Sequence, residues 1–257
     1  MPVEHLATAT ELRAGADPET YASAYRNAWD ARQGAKGAQQ TFELSKEVNF
    51  SKIRVRRVTE DRDVEAWRLL LHEYHYIPHS SSSVKSYGRF LRYVAEAEGV
   101  WLGLIAWSGS FLSLGDRDAW IGWDKETRIK RNRNIAQNLV FCLLPTAKGK
   151  NLASAILAKA ERAVKADWET VYKDKLALVD TLVSEDLYKG TCYKAANWSL
   201  VGKTKGMGYK AFRKDVKGYG AENIGKLAFN HGIKKLIFVH PLDRNWKQIL
   251  GVQNARV

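Results

Sequence analysis

Apolar and polar positions mostly alternate across IRVRRV (53–58), where Ile53, Val55 and Val58 are β-branched, and this predicts a strand. Thr59 then precedes EDRDVEAWRLLLHEY (60–74), with acidic residues in its first turn and Val64, Trp67, Leu70 and Leu71 on one face. That is the pattern of a capped amphipathic helix. Pro78, His79 and the run from Ser80 to Ser83 read as a flexible loop. RFLRYVAEAEG (89–99) and VWLGLIAWSGSF (100–111) follow as two strands joined through Glu98 and Gly99. DAWIGWD (118–124) is a third aromatic segment, and KETRIKRNRN (125–134) is strongly basic.

The pattern is clearest from Asn134 onward. NLVFCLLP (138–145) is a largely continuous apolar run closed by Pro145, as a buried central strand would be. TAKGKN (146–151) is a Gly-containing turn. Leu152, Ile156, Ala160, Val164 and Trp168 recur at spacing four, predicting an amphipathic helix over 152–168 with Asn151 as its N-cap. LALVDTLV (176–183) reads as a second buried strand, YKGTCYKAANW (188–198) as a short helix, and SLVGKT (199–204) as a strand. KKLIFVHPL (234–242) closes the sheet. A helical crossover joins 138–145 to 176–183, so these two strands should pair in parallel. Upstream, Tyr21, Tyr25 and Trp29 form one stripe of a helix that leads into a Gly/Ala/Gln linker. The expected organisation is an N-terminal helical extension (1–47), one α/β core domain (48–243) and a tail (244–257).

Composition places this core in a class. A hydrophobic content of 45% over 257 residues suffices for one large domain. Two cysteines, Cys142 and Cys192, are too few for a disulfide framework and fit a reducing compartment. The N-terminus lacks an apolar signal core, and no stretch approaches the roughly 18–20 apolar residues of a membrane span. A cytoplasmic protein without membrane attachment is expected.

Charge adds a partner class. The formal net charge is +13, yet residues 1–50 carry −2 and residues 201–257 carry +9. Such asymmetry attracts a polyanion, and the basic segments lack the apolar face of a membrane-surface helix, so nucleic acid (DNA or RNA) is the expected partner. Arg128, Lys130, Arg131 and Arg133 form one basic group; Lys203, Lys205, Lys210, Arg213 and Lys214 form another. The second group lies in a Gly-rich segment (201–225) expected to be an exposed, mobile basic loop. A solubilising surface is the alternative for both.

Strand, Gly turn, long helix, strand, short Tyr-bearing helix, strand is the order in the second half of a GNAT-type acyltransferase. The expected fold is therefore a GNAT-like mixed central sheet flanked by helices. A helix N-terminus with free N–H groups is an anion site. Lys148, Gly149, Lys150 and Asn151 are thus candidates for holding a cofactor pyrophosphate.

Several segments also resemble the DruA-type family of the Druantia anti-phage system, which occurs beside transposases as a domain of unknown function. They are YHY (74–76), LRYVAEAEGVWLGLIAW (91–107), RDAWIGW (117–123), LLP (143–145), NLAS (151–154), DW (167–168), GTCYKAANW (190–198) and VGKTKG (201–206). The resemblance spans roughly 53–242. It implies a role in phage defence or on a mobile element, with defence-system or mobile-element proteins as partners. The family usually continues its second core strand as Glu-Thr-Phe-Val-Asp, where this chain has Asp180, Thr181, Leu182, Val183 and Ser184.

Candidate chemistry follows from these placements. Tyr193 sits where GNAT enzymes often carry the Tyr that protonates a leaving thiolate; a phenol near pKa 10 suits that task. Packing of Tyr193 on the sheet is the alternative. Asp180, inside an apolar run, is either a general base with a desolvated carboxylate or a buried partner for an arginine or for backbone N–H groups. Arg117 with Trp120 and Trp123 either grips a phosphate beside a stacked base or forms a salt bridge under a Trp lid. For Asn197 and Trp198, the Asn amide either reads a substrate or caps a strand entry. His72, His75 and His79 form no known metal motif because Pro78 breaks their helix, and no metal is expected. No GxxxxGK[ST] or GxGxxG motif is present. Two functions remain open. One is a GNAT-like acyl or aminoacyl transferase acting on nucleic acid or a nucleic-acid-carried small molecule, with acyl-CoA or aminoacyl-tRNA as donor. The other is a non-catalytic nucleic-acid-binding subunit of a defence system.

Overall fold

The computed structural model describes residues 48–75, 88–111, 113–145, 147, 149–205, 207–213, 224–230 and 234–252, with 207–213 and 224–230 described as backbone. The expected N-terminal helix and linker lie outside the described residues. The elements run β1 (Arg54–Arg57), α1 (Asp61–Tyr74), β2 (Phe90–Ala97), β3 (Val100–Gly109), α2 (Gly115–Ile121), α3 (Lys125–Arg131) and β4 (Ile135–Leu143). They continue with α4 (Leu152–Tyr172), β5 (Leu178–Ser184), α5 (Thr191–Ala195), β6 (Ser199–Lys203), β7 (Met207–Arg213), β8 (Ile224–Asn230), β9 (Lys235–Pro241) and α6 (Trp246–Ile249). Seven strands form one mixed sheet in the order β1-β2-β3-β4-β5-β9-β6, and β7 pairs with β8 as a separate ribbon. The fold is thus α/β, with the expected strand–turn–helix–strand–helix–strand order realised from β4 to β6.

Each face of the sheet is covered as the hydrophobic pattern requires. The α4 stripe Leu152, Ile156, Ala160, Val164 and Trp168 packs with Tyr93, Ile105, Ala136 and Val179 on one face. On the other, Trp67, Leu70 and Leu71 of α1 pack with Val94, Leu104, Val140 and Cys142. Full burial of each such side chain contributes roughly 1.5–3 kcal/mol. Polar ties fix α4 against the sheet. Tyr93 Oη donates to Asp167 Oδ2 at 2.8 Å, and Trp168 Nε1 donates to the Arg133 carbonyl at 3.2 Å. Burial, the largest cause, and the bond to Asp167 hold the Tyr93 phenol above its ordinary pKa.

The crossover pair β4 and β5 is parallel, as expected, but only Ile135, Ala136 and Gln137 pair, with Leu178, Val179 and Asp180. The segment from Asn138 onward, read from sequence as the central strand, is the part that leaves β5. A β-bulge marks the departure. Along β3, Trp107 faces Asn138 and Ala106 faces Val140, which leaves Leu139 unmatched and 41% exposed. The extra residue switches the faces of β4: Ala136 points to the α4 side, whereas Val140 and Cys142 point to the α1 side.

Three local expectations are corrected. The cap of α1 is Glu60 rather than Thr59, and it makes no side-chain capping bond. Asn151 precedes α4 in a left-handed conformation (φ 62°) and likewise does not cap it with its side chain. The basic segment after β6 is not wholly a loop. Met207–Arg213 forms β7 in register with β8, because inter-strand pairing satisfies backbone groups that the glycines alone would leave to solvent. Lys210 and Arg213 therefore sit on a strand, while Lys214 lies outside the described residues.

Candidate functional site

Where β4 and β5 part, a cleft of about 410 Å³ opens. Asn138, Phe141 and Cys142 of β4, Thr181 and Val183 of β5, and Gly190 to Tyr193 around α5 line it. Tyr74 and His75 from the end of α1, Ala153 from the first turn of α4, and Tyr188 and Lys189 before α5 also line it. The lining thus draws on residues from both faces of the sheet. Cys142 packs on the α1 side, whereas Tyr193 packs with the α4 side.

Tyr193 is held at the parting point. Its Oη donates to Asn138 Oδ1 at 2.9 Å. Asn138 Nδ2 in turn donates to the carbonyls of Ala106 and Val140 at 3.3 and 3.0 Å, which fixes the amide with its oxygen toward the phenol. The Tyr193 ring stacks on Phe238 at 5.7 Å and meets Trp198 edge-on at 5.1 Å. Gly190 makes this placement sterically feasible. At φ 67° a Cβ there would lie 2.5 Å from the Phe238 ring, so only glycine lets α5 start this close to β9.

The candidate anion site is the N-terminus of α4. Gly149, Lys150 and Asn151 are exposed there, Lys148 lies outside the described residues, and no side chain caps the helix. A 21-residue helix with an uncapped first turn beside a cleft matches the needs of a phosphate-bearing ligand.

Asp180 is elsewhere. It is fully buried and is not among the cleft-lining residues. Its Oδ2 accepts from Arg117 Nη1 at 2.8 Å and from the Ser110 hydroxyl. Arg117, also fully buried, donates to Asp118 Oδ1 from Nε and Nη2 at 3.0 and 2.7 Å and to the Phe111 carbonyl at 2.9 Å. Its guanidinium lies 5.9 Å from the Trp123 ring centroid. Of the two readings for Arg117, the salt bridge beneath a tryptophan is the one realised. Burial pushes the Asp180 carboxyl above its ordinary pKa, against the opposing pull of Arg117 and Ser110. Gln137 adds a further lowering influence, yet Gln137 Nε2 and Asp180 Oδ1 each lack a hydrogen bond of good geometry. This carboxylate is thus absent from the lining of the cleft that holds Tyr193, and its ion pair with Arg117 is the other arrangement expected for it.

The remaining candidates are dispersed. Trp120 stacks on Trp246 at 4.9 Å and 9°, tying α2 to α6. Asn197 adopts φ 64° in the turn before β6. Trp198 is buried, and its Nε1 donates to Glu161 Oε1 at 2.5 Å. Burial raises the Glu161 pKa to about 7, while His240 Nε2 lies 3.6 Å from its other oxygen. Several basic candidates are already paired: Arg128 with Asp118, Lys130 with Glu126, Arg133 with Asp174 and Lys203 with Glu185. Arg131 and Lys205 are exposed. Sequence reasoning missed His75 and Asn138 as cleft residues. The YHY segment was a usable signal for His75, but only the bulge brings Asn138 under Tyr193.

Comparison with known proteins adds two findings. A model of the family described as Druantia protein DruA matches residues 20–224. Similar solved structures include the ribosomal-protein-S18-alanine N-acetyltransferase from Escherichia coli (10% identity, 80% of this chain and 98% of that chain, TM-score 0.43). Another is an N-acetyltransferase from Staphylococcus aureus Mu50 (14% identity, 74% and 99%, TM-score 0.45). A third is an acetyltransferase from Bacillus subtilis in complex with CoA (9% identity, 75% and 100%, TM-score 0.44). No curated protein matches the chain. Among the described residues no helix is long and apolar enough to cross a membrane.

Proposed function

The chain belongs to the DruA family, and on that premise we propose that it is a GNAT-like acyl or aminoacyl transferase. Its acceptor is nucleic acid or a small molecule carried by nucleic acid, in a phage-defence or mobile-element setting. The observation that carries this reading is the cleft between β4 and β5, with Tyr193 in its lining and the uncapped first turn of α4 beside it.

The donor substrate is a thioester such as acyl-CoA, with an aminoacyl ester as the related alternative. Gly149, Lys150, Asn151 and the first N–H groups of α4 would hold its phosphates. The Tyr193 hydroxyl rotates from Asn138 Oδ1 toward the departing sulfur and gives up its proton; phenol and thiol are close enough in basicity for this transfer. Neither cleft cysteine serves as a nucleophile. Burial pushes the Cys142 thiol up to about 12 and raises that of Cys192, so both stay protonated near neutrality.

Calorimetric titration of the full chain with CoA tests the donor half. Saturable binding that weakens in Lys150→Glu is expected, and no heat of binding at millimolar CoA defeats the reading. A non-catalytic nucleic-acid-binding subunit is the second reading, favoured by the +9 charge carried by residues 201–257.

A further inference from the structure

Acyl transfer needs a group that removes a proton from the attacking nucleophile, and Asp180 is sealed from the cleft. The cleft lining offers few replacements. Among the described residues, no carboxylate lines it. Apart from one imidazole, the titratable side chains in the lining are phenols (Tyr74, Tyr188, Tyr193), thiols and the Lys189 amine, side-chain types whose ordinary pKa lies above neutrality. His75 is the one imidazole in that lining, and imidazole is the side chain that accepts and releases protons between pH 5 and 8.

The placement of His75 follows from the backbone. Its N–H closes α1 on the Leu71 carbonyl at 3.1 Å, and its own backbone is already extended (φ −84°, ψ 135°). The side chain therefore belongs to the end of the helix that covers the α1 side of the sheet. Tyr193 belongs to the opposite side, packed with Phe238 and Trp198. Because β4 and β5 part after Gln137 and Asp180, the two residues line one passage from its two sides.

We propose that His75 is the catalytic proton acceptor for the nucleophile, working from the α1 side of the cleft while Tyr193 serves the leaving group from the other. This rests on the acyl-transfer reading above. In the step, the nucleophile's lone pair attacks the thioester carbonyl carbon and a C–N or C–O bond forms. The nucleophile's proton passes to the imidazole, the C–S bond breaks, and the thiolate takes the Tyr193 proton. The imidazolium and phenolate then exchange the surplus proton through solvent, leaving one amide or ester (or one acid, when water attacks) and one thiol.

Two measurements on the full chain test the assignment. The first follows the His75 imidazole resonance by NMR, assigned by its loss in His75→Gln, as CoA is added. A shift of His75 with no shift of His240, which pairs with Glu161 away from the cleft lining, is expected. The second is thiol release from acetyl-CoA with water as acceptor. His75→Gln should lower it by roughly 10²-fold with the CoA dissociation constant unchanged. If CoA binds but the His75 resonance stays in place, or His75→Gln releases thiol as fast as wild type, the assignment fails while the donor cleft stands. If CoA does not bind at all, the transferase reading fails and His75 falls with it. Should His75→Gln not fold, through-bond assignment of the wild-type protein yields the same NMR readout.

Discussion

Arg117 Nη1 lies 2.8 Å from Asp180 Oδ2, and both side chains are completely buried. Asp180 is the last β5 residue to pair with β4, so the ion pair sits at the point where the sheet opens. Taking Arg117 away strands the Asp180 carboxylate in a low-dielectric interior at about 3–5 kcal/mol, whereas taking Asp180 away leaves Asp118 on the guanidinium and costs toward the lower end, about 3 kcal/mol. Asp180→Ala should therefore be destabilised by that amount in urea unfolding. Asp180→Asn should lose less, because an amide oxygen still accepts from Arg117. A loss under about 1 kcal/mol in Asp180→Ala would mean the pair does not anchor the fold.

Tyr193→Phe removes one oxygen and leaves Asn138 Oδ1 without its phenol donor. A buried acceptor stranded in this way costs about 1–3 kcal/mol. Thiol release from acetyl-CoA should fall by roughly 10²-fold, with CoA affinity retained. An unchanged rate would make Tyr193 a packing residue of the cleft wall.

Glu161 predicts a dependence of stability on pH. Burial raises its folded pKa to about 7 from 4.5, so between these values the folded state holds a proton that the unfolded state has released. Stability from this group is full below pH 4.5 and is lost as pH rises toward and through 7. A tenfold difference in proton affinity between the folded and unfolded states corresponds to about 1.4 kcal/mol. Glu161→Gln keeps an oxygen for the Trp198 indole and abolishes the titration. It should flatten the fall in stability from about pH 5 to 8 and unfold later than wild type at about pH 8. Parallel stability–pH curves for the two proteins would contradict this account.

Nucleic-acid binding by Lys210, Arg213 and Lys214 should be governed by released counterions, hence steep in salt and weak in sequence preference. Replacing all three by Ala should flatten the log–log salt slope on duplex DNA by up to about three units. Fluorescence titrations at several salt concentrations measure it. An unaltered slope would remove this segment from the interface.

The sequence by itself determined the elements whose information is local. Spacing four over Leu152–Trp168 specified α4, and the apolar runs flanking it specified two strands whose helical crossover requires parallel pairing. The short helix bearing Tyr193 and the Glu98–Gly99 turn were legible for the same reason. What only the tertiary structure decided depends on residues far apart in the chain. The bulge at Leu139 is a property of β4 against β3, and it ends pairing with β5 at Gln137, not along the apolar run 138–145. The fate of Asp180 turned on Arg117, 63 residues away, which holds the carboxylate in a buried ion pair. β7 became a strand because β8 was there to accept its hydrogen bonds, a fact no count of lysines and glycines contains. Likewise His75 joined Tyr193 in one cleft lining only because the sheet parts between β4 and β5.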